Sequence, residues 1–319
     1  MKWQNSAPSN IALIKYMGKV DSNANRPSNA SLSWTLENLR TFIEIEESTG
    51  PADSWEPLQK DNCKVPELSK KGKARFLQHF NFLKKEFGVS GSFTVRSVNN
   101  FPSDCGLASS ASSFAALTLT ACEAFSEISG KKVSLSEISK YARVGSGSSC
   151  RSVFSPWAIW EGEGAAPVEL PYQELLHQAV VVEDHKKIVS SSEAHLRVPS
   201  SALFRGRPER AQERLASLLQ SLKNQEWRNS FELCWAEFWD MHGLFETAAP
   251  PFSYMTPESV FVVRKAQQFW HDAGTGPLIT MDAGANVHML WLPEHMSEAR
   301  KFVKELPQFR VYSSFGDLK

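Results

Sequence analysis

The chain has no surplus of charge: 35 lysines and arginines are matched by 35 aspartates and glutamates. No long-range field draws it to nucleic acid or to an anionic membrane, so any anion site must be assembled locally. It has no apolar run of about 18 residues, and no membrane span is expected. The opening Met-Lys-Trp-Gln-Asn-Ser-Ala-Pro-Ser-Asn lacks the apolar core of a signal peptide, which makes a cytoplasmic location the expectation. Cysteine is scarce: Cys63, Cys105, Cys122, Cys150 and Cys234 are odd in number and include no Cys-x-x-Cys pair. That usage fits reduced thiols better than a disulfide framework or a zinc site. The eight histidines contain no His-Glu-x-x-His, which argues against a protein-held transition metal. Internal repeats and low-complexity tracts are absent as well.

What is present is a chain of 319 residues, 42% of them hydrophobic, long enough for two domains. Residues 28–47 are rich in strand formers and include the alternating Phe42-Ile43-Glu44-Ile45-Glu46; residues 93–98 alternate too. A helix buried on several sides is predicted over residues 108–125, with Phe114, Leu117, Ala121 and Phe125 at helical spacing. Ser134-Leu135-Ser136-Glu137 reads as a capping box, and Gly145 as the end of the helix it opens. Strand-like runs at 153–160 and 179–183 follow. The pattern then turns to long helices, through Leu215, Leu218, Leu219 and Leu222, then Trp227 to Phe245, then from Thr256-Pro257 to Gly274. Strands at 278–281 and 287–292, a helix at 294–306 and a strand at 309–314 close the chain. Strands mixed with helices in both halves indicate an α+β protein. The change near residue 185 divides it into residues 1–185 and 186–319.

Four segments carry chemistry. Pro102-Ser103-Asp104-Cys105-Gly106-Leu107-Ala108-Ser109-Ser110-Ala111-Ser112 joins a strand to the buried helix, where free N–H groups and the helix dipole favour phosphate. It is not a Walker loop, because no Gly-Lys pair here has the required glycine before it or Ser/Thr after it. Gly145-Ser146-Gly147-Ser148-Ser149-Cys150-Arg151-Ser152 offers hydroxyls and N–H groups beside a planar cation suited to carboxylate or phosphate. Asp282-Ala283-Gly284-Ala285-Asn286 puts an aspartate at a strand end, where it can face a cleft as a base. Ser9 to Lys19 brings Lys15, Tyr16 and Lys19 after an apolar run. Taken alone, each segment also fits a plainer role: a serine-capped turn, a linker with a solvated arginine, a hairpin turn, surface lysines.

Together, and in this order, they resemble the GHMP kinase superfamily and, within it, the mevalonate diphosphate decarboxylases. The resemblance rests on Ala7-Pro8-Ser9-Asn10-Ile11-Ala12-Leu13-Ile14-Lys15-Tyr16-Met17-Gly18-Lys19, on Asn99-Asn100-Phe101-Pro102 running into Gly106–Ser112, on Gly145–Ser152 and on Asp282–Asn286. A weaker match is Met241-His242-Gly243 with Pro250-Pro251-Phe252-Ser253-Tyr254. It implies an N-terminal domain like ribosomal protein S5 domain 2, a ferredoxin-like C-terminal domain, and a homodimer. The implied reaction, in the mevalonate pathway of isoprenoid biosynthesis, is ATP-dependent decarboxylation of mevalonate 5-diphosphate to isopentenyl diphosphate, ADP, phosphate and carbon dioxide. By motif match, Asp282 is the base or orienter at the 3-hydroxyl, Lys19 stabilises charge near Asp282 and on the transferred group, and Arg151 holds the substrate carboxylate. Tyr16, Ser146, Gly147 and Ser148 grip substrate phosphates, while Gly106, Leu107, Ala108, Ser109 and Ser110 cradle those of ATP. Ser110 also helps hold Mg²⁺.

The chain departs from the family at Met17, where tryptophan is usual, and at Asp104, Cys105, Ser155-Pro156 and Ala285. Ser192 stands where many bacterial relatives have an arginine on the diphosphate, with Lys187 and Arg197 as candidate substitutes. A mevalonate 5-phosphate decarboxylase or a mevalonate 3-kinase would share the fold, and a catalytically inactive nucleotide-binding protein would keep the pocket.

Overall fold

The computed structural model describes residues 1–21, 25–63, 65, 68–102, 109–183 and 187–316. The chain opens with β1 (Lys2–Ile14), whose second half is buried. A short hairpin of β2 (Lys19–Asp21) and β3 (Arg26–Pro27) leads to β4 (Ser31–Ser48), which pairs antiparallel with β1 from end to end. Register shifts in β1 at Pro8/Ser9 and Ala12/Ile14 mark bulges, a natural place for a proline that has no N–H to give the ladder. Then come β5 (Ser54–Pro57), α1 (Lys70–Phe87), β6 (Ser92–Asn99), α2 (Ser109–Ser129), α3 (Leu135–Gly145), β7 (Trp157–Glu161) and β8 (Gly164–Pro167). The sheet runs β5-β6-β4-β7-β8, with β1 also on β4. The capping box at Ser134 and Glu137 is formed, and α3 ends at Gly145 as the sequence predicts.

Helix α1 escaped the sequence reading. Its stripe of Phe76, Phe80, Leu83 and Phe87, at helical spacing, is buried against the first sheet with α2. Ser69 caps its start and Gly88, at φ 65°, its end. A second difference is the start of β7, at Trp157 rather than at residue 153; the glycine-serine segment before it forms a 3-10 helix, Gly147–Val153. Ser149 Oγ donates to the carbonyls of Ala142 (2.6 Å) and Ser146 (2.5 Å), which holds the chain in tight turns there.

The second sheet has the order β10-β11-β9-β12, built from β9 (Leu176–Val181), β10 (Leu278–Met281), β11 (Val287–Trp291) and β12 (Arg310–Ser313). Between β9 and β10 lie α4 (Ser191–Arg197), α5 (Arg207–Lys223), α6 (Trp227–Glu246) and α7 (Pro257–Ala273); α8 (Met296–Lys304) precedes β12. Because β9 bonds to β11 and β12, the change of sheet falls between Pro167 and Leu176, ahead of the 185/186 division read from the sequence. The α+β, two-unit organisation is as expected. The seam between the units is itself a core: Ile11, Ile14, Trp34 and Trp157 of the first meet Leu215, Leu218, Leu222, Leu278 and Leu290 of the second. Full burial of each of these leucines contributes about 1.5–3 kcal/mol, so the two units, and the cavity between them, are held in fixed relation.

Candidate active site

A cavity of about 320 Å³ opens along this seam. Its described lining carries five cations, Lys15, Lys19, Arg75, Arg151 and Lys187, and one carboxylate, Asp282. Such a balance suits a ligand bearing several negative charges.

Asp282 follows the last residue of β10 and turns out of the sheet, its backbone carbonyl accepting the Gly284 N–H at 2.8 Å. Its carboxylate, half-buried, takes the Lys15 ammonium at 2.7 Å. Lys15 is buried because β1 ends at Ile14, deep in the seam. Its peptide is clamped on both sides: the N–H donates to Glu237 Oε1 at 2.9 Å, and the carbonyl accepts Asn29 Nδ2 at 2.8 Å and Arg207 Nη2 at 3.4 Å. Burial works to raise the Asp282 carboxyl, but the attraction and hydrogen bond of Lys15 outweigh it and hold the acid below the usual carboxylate range. Burial pulls the Lys15 ammonium below an ordinary lysine, against the pull of Asp282.

Arg151 lies in the 3-10 helix and is almost wholly buried. Nε donates to Asn10 Oδ1 at 3.2 Å, Nη1 to Ser31 Oγ at 2.7 Å, and the guanidinium lies 5.7 Å from the centre of the Trp160 ring. Asn10 in turn donates to the Ser148 carbonyl at 3.1 Å and to Ser152 Oγ at 2.8 Å, so β1 orients the whole glycine-serine segment. Ser146, Gly147 and Ser148 line the cavity beside Arg151. Tyr16 lines it too, and its hydroxyl has no partner among the described residues. Burial raises that phenol, which stays protonated and able to donate.

Lys19 lines the same cavity as Asp282, while the lysine paired with the aspartate is Lys15. The Lys19 ammonium donates to Asn25 Oδ1 at 2.7 Å, and Asn25 is tied to the Arg143 and Val144 carbonyls at 3.0 and 3.1 Å. Lys19 belongs to the β2–β3 hairpin. Ser109 and Ser110 begin α2 at the cavity wall, with Ser110 Oγ 3.5 Å from Ser146 Oγ. Gly106, Leu107 and Ala108, with Asp104 and Cys105, lie outside the described residues.

The sequence reading gives Lys15 and Asn10 no role of their own and passes over Ser31, Arg75 and His195. Asn10 and Ser31 are polar positions within strands, and only the long-range pairing of β1 with β4 brings them to Arg151. Arg75 sits among the lysines of α1, where a charge run reads as a solvated face; it donates to the Gly145 carbonyl at 2.6 Å. Of the substitutes for the missing arginine, Lys187 lines the cavity and donates to the Ala283 carbonyl. Arg197 is paired with Glu193 and lies over the Phe252 ring. Ser192 also lines the cavity.

No group of three or more His, Cys, Asp or Glu side chains is placed to hold a metal among the described residues. The one carboxylate of the described lining, Asp282, is already paired with Lys15. This wall fits Mg²⁺ that arrives on phosphates and keeps them, with water, as its ligands.

Two family descriptions match the chain in succession. "Diphosphomevalonate decarboxylase-like N-terminal domain" covers residues 7–167, and "Mevalonate 5-diphosphate decarboxylase C-terminal domain" covers residues 178–314. The diphosphomevalonate decarboxylase of Debaryomyces hansenii is 31% identical over 319 aligned residues, spanning 92% of this chain and 80% of that one. The crystal structure of a mevalonate diphosphate decarboxylase from Legionella pneumophila superposes with a TM-score of 0.91 at 44% identity, over 98% of this chain and 100% of that one. A structure of MDDEF in complex with MVAPP, AMPPCP and magnesium superposes with a TM-score of 0.87 at 28% identity, over 98% and 97% of the two chains.

Proposed function

The chain belongs to the diphosphomevalonate decarboxylase family, and from that membership we propose how its residues share the work of the reaction. It is an ATP-dependent carboxy-lyase that converts mevalonate 5-diphosphate to isopentenyl diphosphate, ADP, phosphate and carbon dioxide. The observation that carries the assignment of roles is the Lys15–Asp282 pair, 2.7 Å apart, on the wall that also bears Arg151.

The tertiary 3-hydroxyl of the substrate is a poor leaving group until it is phosphorylated. Asp282, kept ionised by Lys15, takes the hydroxyl proton as that oxygen attacks the γ-phosphorus of ATP and ADP departs. Lys15 and Lys19 set positive charge around the transferring group. In the second stage the bond from C2 to the carboxylate breaks. Its electrons form the new double bond between C2 and C3, and the 3-phosphate leaves with the C3–O pair. Arg151, fixed by Asn10 and Ser31, holds the carboxylate in line for that fragmentation and loses its partner once carbon dioxide forms. Tyr16, Ser146, Gly147 and Ser148 receive the substrate's phosphoryl end. Gly106, Leu107, Ala108, Ser109 and Ser110 serve ATP. Mg²⁺, bound with ATP, neutralises phosphate charge, with Ser110 as a hydroxyl that would help hold it.

In this reading the ATP- and substrate-binding unit and the C-terminal unit divide at the change of sheet between Pro167 and Leu176. The homodimer and the cytoplasmic location implied by the family belong to the same proposal. No described helix is long and apolar enough to cross a membrane, and light scattering on the purified protein measures its mass.

The test follows ADP and carbon dioxide together, with ATP, Mg²⁺ and, separately, mevalonate 5-diphosphate, mevalonate 5-phosphate and mevalonate. Equal yields of both products from the diphosphate are expected, with turnover nearly abolished in Asp282→Ala. ADP without carbon dioxide would mean a kinase; products from the monophosphate alone would reassign the substrate. An unimpaired Asp282→Ala protein would sink the role given to this aspartate.

A further inference from the structure

The corner of the cavity beside Tyr16 holds a histidine that the roles above leave unused. His195, on α4, is largely buried, lines the cavity and lies with its ring 4.3 Å from the Tyr16 ring, tilted by 34°. Its Nδ1 accepts the backbone N–H of Gly18 at 3.0 Å. A ring nitrogen that accepts a hydrogen bond carries no proton, so in the neutral imidazole the hydrogen is on Nε2. Burial, then the charge of Lys19, pushes the ring down to about 3, so it is neutral at physiological pH. Nε2 has no hydrogen-bond partner among the described residues and is not sealed from the cavity. The tautomer is thus locked from behind by Gly18, and a donor is left for whatever enters.

We propose that the Nε2–H of His195 is a hydrogen-bond donor to the phosphoryl oxygens of the substrate's diphosphate tail. This rests on the reading that the Tyr16 corner receives that tail. Tyr16, whose buried hydroxyl has no partner among the described residues, lines the cavity beside His195, and Ser192 lies one helical turn before His195 on the same wall. Ser192 and His195 both belong to α4, so the helix sets the serine hydroxyl and the neutral N–H one turn apart. Gly18 makes the arrangement possible. Its φ of 99° suits glycine, and it brings its N–H up to the ring in a space already filled by Phe204 and Ser28.

Two substitutions separate the two nitrogens. Asparagine can set its amide oxygen where Nδ1 sits and keep the Gly18 bond, but it has nothing at Nε2. Glutamine can carry an amide N–H out to the Nε2 position. kcat, the KM for mevalonate 5-diphosphate, the KM for ATP and the thermal midpoint are measured for wild type, His195→Asn and His195→Gln. The expected result is a rise in substrate KM of roughly tenfold to a hundredfold in His195→Asn, as for loss of a hydrogen bond to a charged group. The KM for ATP should hold within about twofold, and His195→Gln should recover most of the loss. If His195→Asn keeps its substrate KM while His195→Gln is impaired, the ring is only a strap on Gly18 and the proposal falls. If the KM for ATP rises instead, the donor serves the nucleotide and the allotment of the Tyr16 corner falls with it. A wild-type protein with no turnover of the diphosphate would overturn the functional reading itself, before any variant is made. Should the variants unfold, ¹⁵N-histidine NMR of the wild type gives the answer. An Nε2–H signal that shifts with mevalonate 5-diphosphate but not with ATP supports the proposal, and one that ignores the substrate overturns it.

Discussion

Glu237→Gln is the substitution that tests most directly how the catalytic lysine is held. Glu237 on α6 and Arg207 on α5 have side chains that are both 0% exposed. The Glu237 carboxylate accepts both terminal nitrogens of Arg207, Arg214 Nη1 at 3.0 Å and the Lys15 N–H at 2.9 Å. Asp240, one turn on, takes Arg210 at 2.8 Å and Arg214 at 2.5 Å. The amide removes one negative charge from a group of three arginines and two acids and turns an N–H₂ toward their donors. Arg207 is left as a buried cation with only Asp240, at 3.3 Å, to answer it. Breaking a buried pair from one side costs about 3–5 kcal/mol, against a total stability on the order of 5–15 kcal/mol. Urea unfolding followed by fluorescence of the ten tryptophans should therefore show a midpoint well below wild type. Replacing both members, as Arg207→Met with Glu237→Leu, should recover much of the loss, since neither charge is then left buried alone. In the double variant kcat should stay low with substrate KM little changed, because the clamp on the Lys15 peptide is gone. A loss of stability under about 1 kcal/mol for Glu237→Gln would refute the argument, since an exposed pair behaves that way.

Lys15→Met should lower kcat by roughly a hundredfold to ten-thousandfold, the range for a group that charges and orients a general base, with a smaller effect on the KM for ATP; steady-state assays of both substrates check it. The Asp282 carboxyl is held below its ordinary value, so its contribution to stability is complete above the usual carboxylate range and is lost as pH falls through the depressed value. The acid limb of kcat/KM should follow it to lower pH than an ordinary aspartate gives. The Lys15 ammonium is lowered by burial, so the alkaline limb should fall below an ordinary lysine's titration, while stability rises with pH across that interval because the unfolded chain binds the extra proton. A pH series of rates and unfolding midpoints separates the two. In Gly147→Ala the new methyl would come 2.9 Å from the Trp160 ring and 3.0 Å from the Tyr16 ring. A destabilisation of about 1–3 kcal/mol and a raised substrate KM are expected, read by thermal unfolding and kinetics.

How far such a site can be read in advance depends on the distance over which each part is specified. Local features were legible. The capping box at Ser134, the Thr256-Pro257 start and Gly274 end of α7, and the alternation within β4 all act within a turn or a few residues. Helix α1 is legible on the same terms, since Phe76, Phe80, Leu83 and Phe87 recur at helical spacing on one face, and the sequence reading passes over it. At the site, the motif match singles out Arg151 and Asp282, which turn context alone leaves open to a linker arginine and a hairpin turn. Lys15 and Lys19 are equivalent by type and four residues apart. What distinguishes them is that β1 stops at Ile14 and that Glu237, 222 residues away, receives the Lys15 N–H. Arg151 depends in the same way on Asn10, 141 residues off, and Ser31, 120 residues off. The chemistry of the cavity is therefore carried by residues visible in short motifs, while their aim is set by buried partners on other elements. For that reason Glu237 and Arg207, which none of these motifs includes, and Asn10, which stands in one without a role of its own, are the positions where substitution should damage turnover without removing a group that touches the substrate.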